Sequence, residues 1–304
     1  MPNSHSVTYI IITLNYVRIK FATQNSLFKL MKQSAVVFLL LIFISACNNN
    51  STNTNNITAD NANPPPPIIN FSIVKVYPHD TSSYTQGLEW YNNSLYEGTG
   101  NYAHSKLLKT DLASGKILQQ VKTSADSTVF GEGITVFNNK IYELTWQTHK
   151  VYVYDLNTFK KINEFNWPFE GWGLTTNGKE LIVSTGSSNL YFVDPENFKI
   201  LRQVNVTDNN GPVSFLNELE YVNGFIYANI YETDYIVKIN PENGNVAGKI
   251  DCSNLLQKSG VNYNSGNYSA NTGYVLNGIA YDSTKQSFYI TGKMWPALFE
   301  IKLN

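Results

Sequence analysis

The chain has 304 residues, with 22 Lys and Arg against 23 Asp and Glu, a formal net charge of −1 and 42% apolar residues. The apolar fraction excludes a disordered tail protein or a collagen-like fibre, and the near-neutral charge gives no electrostatic reason to expect a nucleic-acid partner. Aromatic residues make up 13% of the chain. Because aromatic residues favour strands, and the many Asn, Ser, Thr and Gly favour tight turns, the composition indicates an all-β protein.

The N-terminal residues resemble a targeting signal. From Met31, a lysine precedes an apolar run over residues 36–44, and small residues then precede Cys47. This run is short for a bilayer span, and the pattern is similar to a bacterial lipoprotein signal. We therefore expect translation to start at Met31, residues 1–46 to be an upstream segment and signal peptide, and Cys47 to carry the lipid. A true N-terminal anchor helix is the alternative.

Residues 47–67 are rich in Asn, Ser and Thr and end in four prolines. Such a composition cannot bury a core, so we expect a disordered tether that holds the folded domain near a membrane. These features predict a lipid-anchored protein of the bacterial cell envelope, periplasmic or at the cell surface. Once Cys47 is lipidated, Cys252 has no disulfide partner and is expected to be a small buried residue.

Residues 68–304 contain five sequence repeats. Each has a first strand, a turn such as Asn92 and Asn93, a second strand and a third strand; a fourth strand follows in the first four repeats. The second strand begins 9 residues after the head of the first strand in four repeats and 11 residues after it in the fifth. The heads of the five first strands are Gln86, Glu132, Trp172, Asn217 and Asn277.

The fifth repeat ends after its third strand, and residues 71–77 form a strand pattern with no repeat of its own. This arrangement predicts a five-bladed β-propeller whose last blade is completed by the N-terminal strand, because a closed ring leaves no long unpaired edge. An open solenoid is the alternative, but it leaves the incomplete fifth repeat unexplained.

Equivalent positions of the inner strands meet as rings at one mouth of a propeller channel. The heads of the first strands form one ring, and the positions five residues into the second strands form another. Both rings contain differing residue types, which structural repetition alone would not select. The second ring consists of Gly100, Trp146, Gly186, Tyr231 and Lys293.

Glu132 is the strongest candidate for chemistry in these rings. It lies between Gly131 and Gly133, and a carboxylate directed into a channel mouth is poorly solvated, so we expect a raised pKa. Trp146 and Trp172 come from separate blades and are expected to form pocket walls, with core packing as the alternative.

The other ring residues have structural alternatives. Gln86, Asn217 and Asn277 could bond a neighbouring backbone, and for Asn277 this is as well supported as substrate contact. Lys293 could pair with a carboxylate of a blade. Residues 68–304 contain no phosphate-binding glycine loop and no nucleophile elbow, and their three histidines do not cluster with acids at ligand spacing, so no histidine triad or three-histidine metal site is expected.

Seven motifs carry the ring positions: Tyr-Thr-Gln86-Gly-Leu, Phe-Gly-Glu132-Gly-Ile-Thr, Leu-Thr-Trp146, Glu-Gly-Trp172-Gly-Leu, Leu-Asn217-Glu-Leu-Glu-Tyr, Leu-Asn-Gly-Ile-Ala-Tyr281 and Thr-Gly-Lys293-Met-Trp-Pro. Together they resemble the plant and bacterial glutaminyl-peptide cyclotransferases, also called glutamine cyclotransferases. The resemblance extends from about Phe71 to the C-terminus. It implies a five-bladed propeller and an acyltransferase that converts N-terminal glutamine into pyroglutamate with release of ammonia.

The resemblance also implies roles for individual residues. Glu132 is implied to be the general base that takes a proton from the substrate amine and returns it to ammonia. Gln86, Asn217 and Lys293 are implied to hold the amide and to offset negative charge on its oxygen. The implied substrate-binding residues are Trp146, Trp172, Tyr231 and Asn277.

Two departures from the family pattern stand out. The family motif Asn-Val-Trp-Gln-Thr-Asp becomes Asn-Ile-Tyr231-Glu-Thr-Asp234 here, which keeps an aromatic wall but adds a hydroxyl. A glycine also follows Glu97 where the family usually has serine. The segment 258–274 lengthens the connection into the fifth blade, as a lid or as an inert surface loop.

The expected partner is a peptide or protein with an N-terminal glutamine, bound by a monomer that touches the membrane only through its lipid. No metal or cofactor is expected to be required for catalysis, and a structural cation in the channel is left open. Two other functions remain open for such a propeller: a non-catalytic surface protein that binds peptide or glycan, and a metal-dependent hydrolase or lactonase.

Overall fold

The computed structural model describes residues 64–304, which form five four-stranded antiparallel sheets. Blade 1 contains β2 (Thr85–Tyr91), β3 (Ser94–Thr99), β4 (Lys106–Thr110) and β5 (Ile117–Lys122). Blade 2 contains β6 (Gly131–Phe137), β7 (Lys140–Thr145), β8 (Lys150–Asp155) and β9 (Lys161–Asn166). Blade 3 contains β10 (Leu174–Thr176), β11 (Leu181–Ser184), β12 (Asn189–Val193) and β13 (Ile200–Asn205). Blade 4 contains β16 (Leu216–Val222), β17 (Phe225–Ile230), β18 (Tyr235–Ile239) and β19 (Val246–Asp251). Blade 5 contains β20 (Leu276–Asp282), β21 (Ser287–Gly292), β22 (Ala297–Leu303) and β1 (Phe71–Pro78).

The blades close into a ring. The inner strands pack against one another in the order β2, β6, β10, β16, β20 and back to β2. Blade 5 is completed by β1, which lies antiparallel to β22 with Phe71 opposite Leu303 and Pro78 opposite Ala297. The predicted five-bladed propeller, including its completion by the N-terminal strand, is confirmed.

Tight turns fix the direction of the inner strands. Asn92 and Asn93 both have positive φ, as do Asn138 and Asn139, and each pair joins a first strand to a second strand. This is the geometry of two-residue hairpins, whose twist matches that of the strands. These turns lie at the opposite end of the inner strands from their heads, so the two ring positions share the other face of the propeller.

Apolar side chains fill the space between neighbouring blades. Between blades 2 and 3, Leu144, Leu174, Leu181 and neighbouring side chains form one such cluster. Burial of each of these side chains contributes about 1.5–3 kcal/mol to folding. Trp167, which precedes a proline in the sequence, is only 1% exposed and belongs to this core. Cys252 is buried between blades 4 and 5 and is free, as expected.

Some segments add to the repeat pattern. A short hairpin of β14 (Thr207–Asp208) and β15 (Gly211–Pro212) joins blades 3 and 4. The connection into blade 5 contains the 3-10 helices Leu256–Ser259, Ser265–Asn267 and Ala270–Thr272. At the other end, the Pro67 carbonyl accepts a hydrogen bond from the Lys249 amide, so the last residue of the predicted tether lies against β19.

The start at Met31, the signal peptide, lipidation at Cys47 and the tether up to residue 63 fall outside the described residues. Within residues 64–304, no helix has the length and apolar composition that a bilayer crossing requires.

Candidate active site

The heads of the inner strands lie at irregular points of the sheets. In blades 1, 2, 4 and 5 the pairing with the second strand shifts register at Gln86, Glu132, Asn217 and Asn277 respectively. Such bulges redirect side chains and are frequent beside active sites. In blade 3 the strand begins only at Leu174, after the head residue.

The position after each head is a close approach between blades, where four residues are glycine. A Cβ atom on Gly173 would lie 1.9 Å from the Asn217 carbonyl oxygen, so no other residue fits there. Blade 4 carries Glu218 instead, and its carboxyl group accepts hydrogen bonds from the Leu88 amide (3.1 Å) and the Ile279 amide (2.8 Å). Glu218 therefore ties blade 4 to blades 1 and 5 directly beneath the head residues.

A cavity of about 250 Å³ opens above this layer at the mouth of the channel. It is smaller than pockets that hold drug-sized ligands and has the scale of a single amino-acid residue. Seven of the eight non-lipid site residues predicted from the sequence line it. The lining consists of Tyr84, Gln86, Phe130, Glu132, Trp146, Trp172, Asn217, Tyr231 and Lys293.

Asn277, which the sequence predicted to contact substrate or to bond a neighbouring backbone, is the one predicted residue that the structure places outside the lining. Asn277 is fully buried and does not line the cavity. Its amide donates to the Thr85 carbonyl at 2.9 Å and to Gln86 Oε1 at 3.4 Å, across the seam where blade 5 meets blade 1. Asn277 thus holds the Gln86 side chain from behind, which is the structural alternative that its strand position allowed.

The glycines of the second ring make room for aromatic walls. A Cβ atom on Gly100 would lie 2.3 Å from the Phe130 ring, and one on Gly186 would lie 2.6 Å from the Trp172 ring. Phe130 packs edge-to-face on Trp146, with 5.8 Å between ring centroids. The two glycines therefore let the rings of neighbouring blades approach the mouth.

Glu132 is 4% exposed. Burial raises the pKa of its carboxyl group well above the ordinary value, and the negative charge of Glu170 raises it further, whereas Lys293 and the Gln86 amide oppose the shift. Compared with an exposed glutamate, this carboxyl group holds a proton more strongly, which suits a group that accepts a proton and later returns it.

Lys293 is 1% exposed, and burial lowers the pKa of its ammonium group to about 8, against the opposing attraction of Glu132 and Glu218. Its Nζ donates to Gln86 Oε1 and lies 4.6 Å from the ring centroid of Tyr84. The structure thus pairs Lys293 with pocket groups and not with a distant blade carboxylate. At neutral pH this lysine is mainly a cation inside the cavity.

Glu170 connects the two wall tryptophans, Trp146 and Trp172. Its Oε2 accepts from the indole of Trp146 at 2.8 Å and from the indole of Trp172 at 3.1 Å, and its Oε1 accepts from Gln147 at 3.0 Å. Although burial opposes it, these hydrogen bonds hold the pKa of Glu170 below its usual value. Glu170 is therefore a carboxylate that fixes both walls in place.

Tyr84 and Tyr231 close the side of the cavity next to Lys293. Burial raises the pKa of both hydroxyl groups, which lie close enough to influence each other's pKa. Tyr231 also packs edge-to-face on Trp172, with 5.5 Å between centroids. The hydroxyl that distinguishes Tyr231 from the family tryptophan therefore lies beside the Tyr84 hydroxyl in the same cavity wall.

Asn217 presents an acceptor without a partner. The residue is 2% exposed, and its Oδ1 makes no hydrogen bond to any part of the chain that the structure describes. A buried unpaired polar atom costs about 1–3 kcal/mol, so a ligand that donates to it gains that energy.

Sequence reasoning missed Tyr84, Phe130 and Glu170. Each lies two residues before the head of an inner strand and outside the strand itself. The repeat register, extended by two residues, would have found all three.

The pocket has no histidine. His79 contacts Glu97 Oε1 at 3.2 Å and the Trp295 carbonyl at 2.7 Å, away from the cavity. Within residues 64–304, no group of three or more His, Cys, Asp and Glu side chains is placed to hold a metal ion.

Comparisons with known proteins agree with this architecture. Residues 40–303 match the family described as glutamine cyclotransferase. The chain is 40% identical to a glutaminyl-peptide cyclotransferase of Arabidopsis thaliana over 243 residues, which cover 78% of this chain and 72% of the relative. The crystal structure of Myxococcus xanthus glutaminyl cyclase superposes with a TM-score of 0.70 at 31% identity, covering 79% of this chain and 98% of that one. The chain belongs to the glutamine cyclotransferase family.

Proposed function

We propose that this protein is a glutaminyl-peptide cyclotransferase, an acyltransferase that converts the N-terminal glutamine of a peptide or protein into pyroglutamate and releases ammonia. The observation that carries the proposal is Glu132, a buried carboxyl group of raised pKa, facing a cationic lysine in a residue-sized aromatic cavity. Membership of the family and the names of the two relatives support the same reaction.

The reaction needs one proton to move between two nitrogens of the same residue. The neutral α-amine attacks the side-chain amide carbon, and Glu132 as carboxylate accepts the proton that the amine loses. The carbon–nitrogen bond of the amide then breaks, and Glu132 returns the proton so that ammonia leaves. Burial of Glu132 serves both steps because it brings the pKa of the acid towards that of a group that works near neutral pH.

The tetrahedral intermediate carries negative charge on the former amide oxygen. Lys293 supplies a positive charge inside a water-poor cavity, where electrostatic stabilisation is stronger than in water. Gln86 is held between Lys293 and Asn277, so its side-chain amide is fixed towards the pocket. We assign these two residues to the oxyanion side of the substrate.

The remaining residues of the cavity lining position the substrate. The unpaired Oδ1 of Asn217 accepts from an N–H of the substrate amine or amide. The two wall tryptophans enclose the methylene groups of the glutamine side chain and favour the folded pose that brings the amine to the amide carbon.

The test is ammonia release from Gln-Ala-Ala amide by the purified protein, with Glu132→Gln as the variant. Glu242 is an exposed acid in the turn between β18 and β19, on the face opposite the cavity, and Glu242→Gln is the matched control. We expect turnover in the parent and the control, and a loss of at least a hundredfold in the Glu132 variant with its fold intact. A non-catalytic binding propeller would release no ammonia and would keep its ligand affinity in the Glu132 variant.

We also propose that catalysis requires no metal, because Glu132, Lys293 and the polar lining supply each role that the reaction needs. Turnover should therefore be unchanged by a chelator. Loss of turnover with chelator, restored by a divalent cation, would favour a metal-dependent mechanism.

We propose further that the protein is a monomeric lipoprotein of the bacterial cell envelope, anchored through Cys47. The support is the signal-like sequence from Met31 to Cys47 and the polar stretch that follows it. Metabolic labelling with a fatty-acid analogue should mark the parent protein and leave Cys47→Ser unmarked.

A further inference from the structure

A second cavity, of about 420 Å³, lies beside the catalytic pocket. Its walls are the end of blade 4 and the segment that leads into blade 5, including the predicted lid segment 258–274. Two acidic residues and four aromatic rings are prominent in its lining: Glu232, Asp234, Tyr263, Tyr268, Tyr274 and Trp295.

Neighbouring residues of the chain line the two cavities. Tyr231 lines the catalytic pocket, and the next residue, Glu232, lines the second cavity. On the other side, a Cβ atom on Gly273 would lie 3.1 Å from the hydroxyl oxygen of Tyr84. An extended peptide advances about 3.3–3.6 Å per residue, so this neighbouring space is within the reach of the second or third residue of a peptide whose N-terminal glutamine fills the catalytic pocket.

The charged residues that line the second cavity are both acidic. Its lining contains two carboxylates and no Lys, Arg or His. The Asp234 side chain forms no salt bridge within residues 64–304, and burial and the nearby Asp251 raise its pKa. Asp251, in contrast, is close to Lys249 and Lys258. Within residues 64–304, neither carboxylate of the lining has a salt-bridge partner, and Asp234 is the one whose pKa is raised by burial and by Asp251.

The aromatic rings of the second cavity, like its carboxylates, favour a positively charged ligand. Tyr263 and Tyr268 pack edge-to-face with 5.5 Å between centroids, and Tyr268 lies 6.1 Å from Tyr274. A guanidinium or ammonium group is attracted to the faces of such rings, and a long aliphatic stem covers their apolar surface.

We propose that the second cavity is a specificity subsite that receives a basic side chain, Arg or Lys, at the second or third position of the peptide substrate. The inference rests on the proposed cyclisation activity and names the class of peptide that this site prefers. The carboxylate of Asp234 and the aromatic walls are its recognition elements.

The experiment measures KM and kcat for two peptide series, Gln-Xaa-Ala amide and Gln-Ala-Xaa amide, in which Xaa is Arg, norleucine or Glu. At one of the two positions we expect the Arg peptide to have a KM about fivefold lower than the norleucine peptide, and the Glu peptide to have a higher KM. The preference should weaken as ionic strength rises, because salt screens a partly exposed pair.

Variants assign the preference to this cavity. Asp234→Asn should abolish the ratio between the Arg and norleucine peptides, whereas Glu242→Gln on the opposite face should keep it. Because the ratio is taken within each variant, a general change in turnover cancels. Asp234 donates no side-chain hydrogen bond and accepts none within residues 64–304, so the substitution leaves the local structure without a lost partner.

Either of two results would overturn the subsite. Equal KM values for Arg and norleucine at both positions would show that no basic preference exists. A preference that survives in Asp234→Asn would place the cation elsewhere on the surface. Absence of ammonia from every glutamine peptide would instead refute the cyclisation activity itself, so the two failures are distinguishable.

Discussion

The pH dependence of turnover tests the assignment of Lys293 most directly. Burial lowers the pKa of this lysine to about 8, and the proposed mechanism requires its positive charge. As pH rises through 8, the cation is lost, so kcat/KM should fall. At pH 9 only about a tenth of the protein molecules retain the charge. The substrate amine, with a pKa of about 7.7–8.0, contributes the rising limb instead, because it must be neutral to attack.

Lys293→Arg separates these two limbs. Arginine stays charged throughout this range, so the falling limb should disappear while the rising limb remains. Relative to its own value at pH 8, activity at pH 9 should then be several times higher in the variant than in the parent. The assay is ammonia release from Gln-Ala-Ala amide between pH 6 and 10. The tyrosines of the pocket have raised pKa values and do not titrate near pH 8. A falling limb near pH 8 that persists in the arginine variant would refute this reasoning.

Three further predictions concern the walls and the buried acids. Glu170→Gln weakens the charge-assisted bonds to both wall tryptophans, so KM for Gln-Ala-Ala amide should rise about fivefold in ammonia-release assays. Gly186→Ala should cost about 1–3 kcal/mol of unfolding free energy more than Gly178→Ala in urea titrations, because both glycines have positive φ but only Gly186 lies against the Trp172 ring. Burial raises the pKa of Glu143 to about 7. Its contribution to the free energy of unfolding is therefore most favourable below pH 4.5 and is lost as pH rises towards 7. Glu143→Gln should make the urea midpoint of unfolding less dependent on pH over that range.

The sequence could predict the fold because the repeat is carried by backbone requirements. Asparagine pairs at the hairpins, alternating apolar strands and a missing fourth strand in the last repeat leave few topologies open. The same repeat register predicted seven of the residues that line the pocket, since equivalent positions of the blades converge at the mouth of a propeller channel. The hairpin β14–β15 and the short helices between blades 4 and 5 have no counterpart in other repeats, so the register contained no information about them.

Side-chain partnerships were harder to predict than positions. Asn277 and Asn217 occupy equivalent strand positions, yet Asn217 lines the cavity, whereas Asn277 does not and donates across the blade seam. The difference depends on which neighbouring backbone carbonyl lies within reach, and that is set by packing between blades. Glu170 was likewise visible in a quoted motif, but its contact with indoles from two blades depends on the closed ring.

The departure at Tyr231 follows the same logic. Viewed alone, a tyrosine in place of the family tryptophan shortens an aromatic wall and adds a polar group to an apolar pocket, which carries a desolvation cost. In the folded protein its hydroxyl lies beside that of Tyr84, another aromatic residue of the same wall, and burial raises the pKa of both. The pair keeps the cavity closed on the side that adjoins the second cavity, where Gly273 packs against Tyr84. Tyr231→Phe should leave the free energy of unfolding within about 0.5 kcal/mol of the parent value in urea titrations, because it removes a half-buried hydroxyl that makes no hydrogen bond within residues 64–304 and keeps the ring that packs on Trp172.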